Sequence, residues 1–249
     1  MNNNPLHPFE LHPYGAFHLF GLDISLNKAV LMMGVIIILA AWLLIAAGNG
    51  RRLVPTRLQS LAELLVEFIR GIILDTMGEK GMRFFPFIAT LFVFILFSNM
   101  LGLIPGAYTV TSQIVVTAVF ALFVYTMSLV VGFVTHGVKF LGILIPPGTP
   151  TLLLPLMMPI ELISQLARPV SLAVRLFANM TAGHTILAVL FGMAISLPLL
   201  IGWMPFVFTI AMNGLEVGIA FIQAYIFTIL TCVYLGDAIN LHSHAEGAH

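Results

Sequence analysis

Charge is what this sequence has least of. Ten basic and ten acidic residues are spread over 249 positions, so 8% of the chain is charged against 60% hydrophobic, and the formal net charge is zero. That balance argues against a nucleic-acid partner, which needs basic side chains gathered on one face. There is also no polar segment long enough to build a soluble domain, so residues 1–249 read as a single membrane domain. Cysteine is nearly absent: the lone Cys232 excludes an internal disulfide and a multi-cysteine metal site. No HExxH, P-loop, GxGxxG or GxSxG pattern occurs, and no metal or organic cofactor is expected. Residues 1–27 contain no Lys or Arg, so the positive start of a cleavable signal peptide is missing. The first apolar run is therefore expected to stay in the mature protein.

Long apolar runs are what the chain does have. Residues 29–48, AVLMMGVIIILAAWLLIAAG, are twenty uncharged positions, which at 1.5 Å per residue span about 30 Å of hydrocarbon. In 51–83, Leu61, Leu64, Leu65, Phe68 and Ile72 recur at helical spacing with charges between them, which predicts an amphipathic helix along the membrane surface. Arg51, Arg52, Arg57, Arg70, Lys80 and Arg83 all fall there, and the positive-inside rule places this stretch in the cytoplasm. Residues 1–28 are then periplasmic. Phe84 to Val138 carries no Asp, Glu, Lys or Arg and is interrupted by GLIPGAYTVTSQ, so 84–135 reads as a transmembrane hairpin. Five prolines in 142–159 argue against one continuous helix there. Residues 160–238 form a hairpin of two long helices, tilted because each is longer than a perpendicular crossing needs, with LPLLIGWMP as the turn and 239–249 as a cytoplasmic tail. The fold class is an all-α polytopic membrane protein.

The few charges inside the last hairpin need a reason. An ionised group at the centre of a lipid-facing helix costs roughly 2.5 to 3.5 kcal/mol on insertion scales. Arg175 nevertheless precedes forty residues, Leu176 to Leu215, with no Asp, Glu, Lys or Arg. Steps of seven bring Glu161, Arg168 and Arg175 near one face, Asn179 joins Arg175 one turn on, and His184 falls about 180° away. Glu216 and Gln223 are likewise seven apart. A carboxylate or an imidazole exchanges protons near neutral pH, whereas a guanidinium stays protonated and cannot relay one. The layout is that of a polar path divided by a fixed cation: Glu216 and His184 on one side of Arg175, Glu161 on the other. Plainer roles stand beside this one. Arg175 as a headgroup anchor, Glu161 and Arg168 as marks of a helix end, His184 as a core histidine, and Asn179 and Gln223 as interhelical glue all fit the residues too. The terminal histidines, His7, His12, His18, His242, His244 and His249, fit solvated ends better than a metal site.

RPVSLAVRLFANMTAGH (168–184), with IQAYIFTILTCVYL (222–235) and NPLHPFEL (4–11), resembles subunit a of the rotary F-type ATP synthase, the stator channel subunit of its membrane sector. The resemblance covers nearly the whole chain. It implies two offset half-channels that load and unload the carboxylates of a rotating c-ring, with Arg175 as the separator. Asn179, Glu161 and Gln223 match polar positions of the family. His184 and Glu216 stand where some bacterial members have Glu and His, an exchange similar to the mitochondrial type. The implied partners are c-ring subunits, peripheral-stalk b-type subunits, other ATP synthase subunits, protons and membrane lipid. The implied role is non-catalytic proton translocation in a bacterial cell inner membrane. Two other readings make different demands. A stand-alone ion-coupled secondary transporter predicts an internal repeat, and 51–83 and 142–159 have no counterparts elsewhere in the chain. A non-transporting assembly scaffold leaves the intramembrane Arg, Glu and His without a use.

Overall fold

The computed structural model describes residues 18–19, 22–23, 27–48, 57–104, 109–144 and 153–240. Among these the chain is helical apart from turns and one small ladder, in which β1 (His18–Leu19) pairs antiparallel with β2 (Leu22–Asp23). Six α-helices follow: α1 (Lys28–Gly48), α2 (Arg57–Met77), α3 (Phe85–Gly102), α4 (Ile114–His136), α5 (Leu154–Ser196) and α6 (Leu199–Ile239). All but α2 belong to segments long and apolar enough to cross a membrane, giving five candidate spans. The protein is an all-α polytopic membrane protein.

Apolar side chains on both faces mark helices whose outer surface meets lipid rather than water. On α1, Ile36 is buried while Ile38, two positions on, is exposed. Helix α2 is amphipathic, as its spacing suggests. Ala62, Ile69, Ile72, Ile73 and Met77 turn inward, and Leu61 and Leu64 lie exposed. The reason is that α2 has two apolar sides, one for its own protein and one left for the membrane surface. Gly78, at φ 68°, ends α2 in a conformation that a side chain would strain.

The two last helices run further than their prolines suggest. Helix α5 has 43 residues and α6 has 41, each about twice the 30 Å hydrocarbon thickness at 1.5 Å per residue. Pro155 sits in the first turn of α5, where a missing N–H costs nothing. Pro159 and Pro169 lie within α5 and Pro205 within α6. A proline inside a helix removes one ladder hydrogen bond, which tilting or neighbouring groups offset in membrane helices. The turn between α5 and α6 is therefore short, confined to 197–198, rather than spread over LPLLIGWMP. Residues 145–152 of the proline-rich stretch lie outside the described residues.

By its contacts the chain divides into two units. The first comprises Met1–Asn49, Val93–Val116 and Arg175–Ala224; the second comprises Gly50–Phe92, Thr117–Val174 and Tyr225–His249. In the second unit, Phe68 of α2 packs its ring 5.8 Å from those of Phe92 and Tyr225. The end of α6 is held by Asn240 Nδ2 donating to Met77 O at 3.3 Å and by His136 Nε2 at 3.0 Å from Ile239 O. In the first unit, Leu103, Met180 and Ala220 form a small buried cluster.

Candidate functional site

In the first unit, the outward face of α5 carries Arg175, Ala178, Asn179 and Ala182, all exposed, while Leu176 and Met180 turn inward. No carboxylate or hydrogen-bond acceptor among the described residues pairs with Arg175. Ala178 and Ala182 on that face are small and leave open space near the guanidinium. One turn on, Asn179 Nδ2 donates to Gln223 Oε1 of α6 at 3.0 Å. Gln223 is fully buried, and its own Nε2 has no partner among the described residues.

Behind that face lies a cavity of about 150 Å³, lined by residues that include Asn179, Gly183, His184, Met212 and Glu216. A space of that size has room for water, and Asn179, His184 and Glu216 are the side chains on its wall able to hydrogen-bond to it. Glu216 is 5% exposed, yet neither carboxylate oxygen has a hydrogen-bond partner among the described residues. Its carboxylate lies against the Cα of Gly183, where an added Cβ would overlap Oε1. Glycine at 183 is thus what makes room for the acid. His184 is half-buried, and its Nε2 lies 2.7 Å from Thr109 Oγ1.

The second unit holds a different polar group. Gln165 Nε2 donates to Glu161 Oε1 at 3.0 Å. Arg168 meets Asp237 at 3.6 Å, with its guanidinium carbon 5.8 Å from the centre of the Tyr234 ring. Gln165, Arg168, Tyr234 and Asp237 line a cavity of about 300 Å³ whose remaining wall, including Phe133, Phe140 and Leu162, is mostly apolar. Among the described residues no three His, Cys, Asp or Glu gather as metal ligands. His7, His12, His242, His244 and His249 lie outside the described residues.

Of the residues singled out by sequence, Asn179, His184 and Glu216 line one cavity, and Gln223 joins them through Asn179. Glu161 belongs to the other group and reaches its cavity through Gln165. Asp237 and Thr109 were not singled out by sequence. Asp237 lies at the end of α6, and only its contact with Arg168 draws attention to it. Thr109 carries no charge, and only its contact with His184 draws attention to it.

The architecture has known relatives. The model of the ATP synthase A chain family matches residues 29–236. The chain belongs to that family. Similar proteins of the family include the ATP synthase subunit a of Pelagibacter ubique, 48% identical over 244 residues that cover 97% of this chain and 100% of the relative. That of Magnetococcus marinus is 47% identical, covering 96% and 94% of the two chains. That of Rhodospirillum rubrum is 46% identical, covering 96% and 100%. Membership spanning both units means that the features of α5 and α6 described above are set in a family architecture, in a multi-pass membrane protein.

Proposed function

We propose that this chain is the stator subunit that offers two proton half-channels to the c-ring of an F-type ATP synthase, coupling proton translocation to rotation and ATP synthesis. The observation that carries the reading is Arg175: a permanent cation, exposed on a small-residue face of α5, without a counter-ion among the described residues. A carboxylate arriving on a partner supplies what is missing. At 4 Å and an effective dielectric of 20, a unit pair gains about 4 kcal/mol. That exceeds the roughly 2.5 to 3.5 kcal/mol cost of the charge on insertion scales, so the arginine draws a passing ring carboxylate into its charged form and displaces its proton. Because the guanidinium itself does not give up a proton, it blocks direct passage between the two sides.

The remaining polar residues divide into the two paths. His184 and Glu216, sharing a cavity with room for water, form the inlet, with Asn179 and Gln223 bordering it beside the ring-facing surface. Glu161 and Gln165, with Arg168 and Asp237, form the outlet. A membrane potential of 100 mV supplies about 2.3 kcal/mol per proton to drive the passage. The positive residues of α2 and the turn after it, Arg57, Arg70, Lys80 and Arg83, favour a periplasmic N-terminus and a cytoplasmic C-terminus in a bacterial inner membrane. The long α5 and α6 lie strongly tilted against the ring. Peripheral-stalk b-type subunits and the catalytic head are further partners, and this chain has no active site of its own. Nothing favours a transporter that works alone.

The test is ATP synthesis driven by an acid-to-base jump in vesicles holding the assembled complex, native against Arg175→Ala, with passive proton leak recorded alongside. Loss of synthesis with a raised leak is expected. Normal synthesis and normal leak would make the arginine structural and remove the separator from the mechanism.

A further inference from the structure

The inlet residues do not stand alone in the first unit. Beside His184 is a short connection between α3 and α4, in which Thr109 leads into a turn at Val110–Ser112. Thr109 is 4% exposed, and its Oγ1 is 2.7 Å from His184 Nε2 and 3.4 Å from Gly102 O. The turn is pinned from two sides. Ser112 Oγ donates to Thr109 O at 2.7 Å, and Thr111 Oγ1 donates at 2.9 Å to Oδ1 of Asn99, which is fully buried on α3. Asn99 Nδ2 in turn lies 3.4 Å from the Ala220 carbonyl of α6. Gly102 leaves space for the threonine: an added Cβ would sit 2.6 Å from Thr109 Cγ2 and 2.7 Å from its Oγ1.

We propose that Thr109 is a positioning residue for His184, a hydroxyl held in place by Asn99, Thr111 and Ser112 that keeps the imidazole hydrogen-bonded whichever protonation state it occupies. A hydroxyl has one proton to donate and lone pairs to accept with. When Nε2 carries a proton it donates to Thr109 Oγ1, and the hydroxyl proton turns to Gly102 O. When Nε2 is bare, the same hydroxyl rotates and donates to it. No heavy atom has to move between the two states, so the ring keeps one orientation while protons come and go. The titratable group that shares the cavity from α6 is Glu216; from the segment after α3, Leu103 lines the cavity and Thr109 meets the imidazole, and neither titrates. Thr109 itself carries no proton along the path.

This inference rests on the reading of His184 as part of the inlet, and the experiment separates the two. ATP-driven proton pumping and ATP synthesis are measured in vesicles of the whole complex for Thr109→Val, Thr109→Ser, Gly102→Ala and His184→Ala, with assembly checked in each. Thr109→Val, which removes the hydroxyl and keeps the shape, is expected to lower both rates about three- to tenfold, as losing one hydrogen bond does. Thr109→Ser restores them to within about twofold, and Gly102→Ala, which pushes Thr109 off the ring, falls with the valine variant. Native rates in Thr109→Val with His184→Ala impaired would overturn the positioning role alone. Native rates in both would overturn the inlet reading beneath it. A serine variant as slow as the valine one would make the methyl group, not the hydroxyl, the working part, and would equally overturn the proposal. Should the valine variant fail to assemble, Thr109→Ala against Thr109→Ser asks the same question of the hydroxyl.

Discussion

The two polar groups of this protein treat their carboxylates in opposite ways. In the first unit Glu216 is 5% exposed and accepts no hydrogen bond from any described residue. In the second, Glu161 accepts from Gln165 at 3.0 Å, and Asp237 lies 3.6 Å from Arg168 with about a third of each side chain exposed. Removing a carboxylate from water costs free energy that partners normally offset. For Glu216 nothing in the described chain does so, and a proton or water in the adjoining cavity is what remains. For Asp237 the offset is built in. The difference is one of charge balance: the first unit holds a buried carboxylate without a hydrogen-bond partner among the described residues, and the second holds carboxylates already partnered by a neighbouring side chain.

The sharpest way to break this comparison is to neutralise Glu216. Glu216→Gln keeps the shape and removes the exchangeable site, so proton-driven ATP synthesis in the assembled complex is expected to fall about a hundredfold, the scale of losing a positioned proton-transfer group. A variant that retained most of its rate would show that the unpartnered carboxylate is incidental. The next effect is steric. Gly183→Ala places a Cβ where Oε1 of Glu216 now lies, and displacing the acid is expected to lower synthesis about tenfold, equivalent to about 1.4 kcal/mol of barrier. Gly34→Ala on α1, where nothing lies within 4 Å, is the matched control and should leave the rate unchanged. Equal rates in both would mean that the close approach of Gly183 and Glu216 has no bearing on the inlet.

How much of this could be read without coordinates depends on the kind of signal. Spans are legible because a bilayer demands about twenty apolar residues in a row, and α1 matches its expected run to one residue. Arg175, Glu161 and Glu216 stand out for the opposite reason, as charges in segments where charge is expensive. The opposition of Arg175 and His184 also follows from helical phase, and the structure leaves the first exposed and the second half-buried. What sequence cannot display is a partner from a distant segment. Thr109 and His184 are 75 positions apart, and Thr109 is a neutral residue in what reads as a loop. Prolines misled in a predictable way: a soluble helix is broken by Pro159 or Pro205, but membrane surroundings leave the helix as the only economical backbone. On α2 the helical period was legible, with Leu61 and Leu64 on an apolar side turned away from the chain, whereas the second apolar side, Ala62, Ile69, Ile73 and Met77, was not singled out.

The smallest expected effect tests the other half of the comparison. An ion pair at 3.6 Å with both members a third exposed contributes at most about 1 kcal/mol. Asp237→Asn is therefore expected to lower synthesis only about two- to threefold, and chiefly by leaving Arg168 without its counter-charge in apolar surroundings. Removing that charge as well should undo part of the harm: the double variant Arg168→Gln with Asp237→Asn is expected to run faster than Asp237→Asn alone, a non-additivity that a double-mutant cycle reads directly. A loss in Asp237→Asn as deep as in Glu216→Gln, with no recovery in the double variant, would mean that Asp237 handles the proton itself. The second unit would then resemble the first, and charge balance would no longer distinguish the two polar groups.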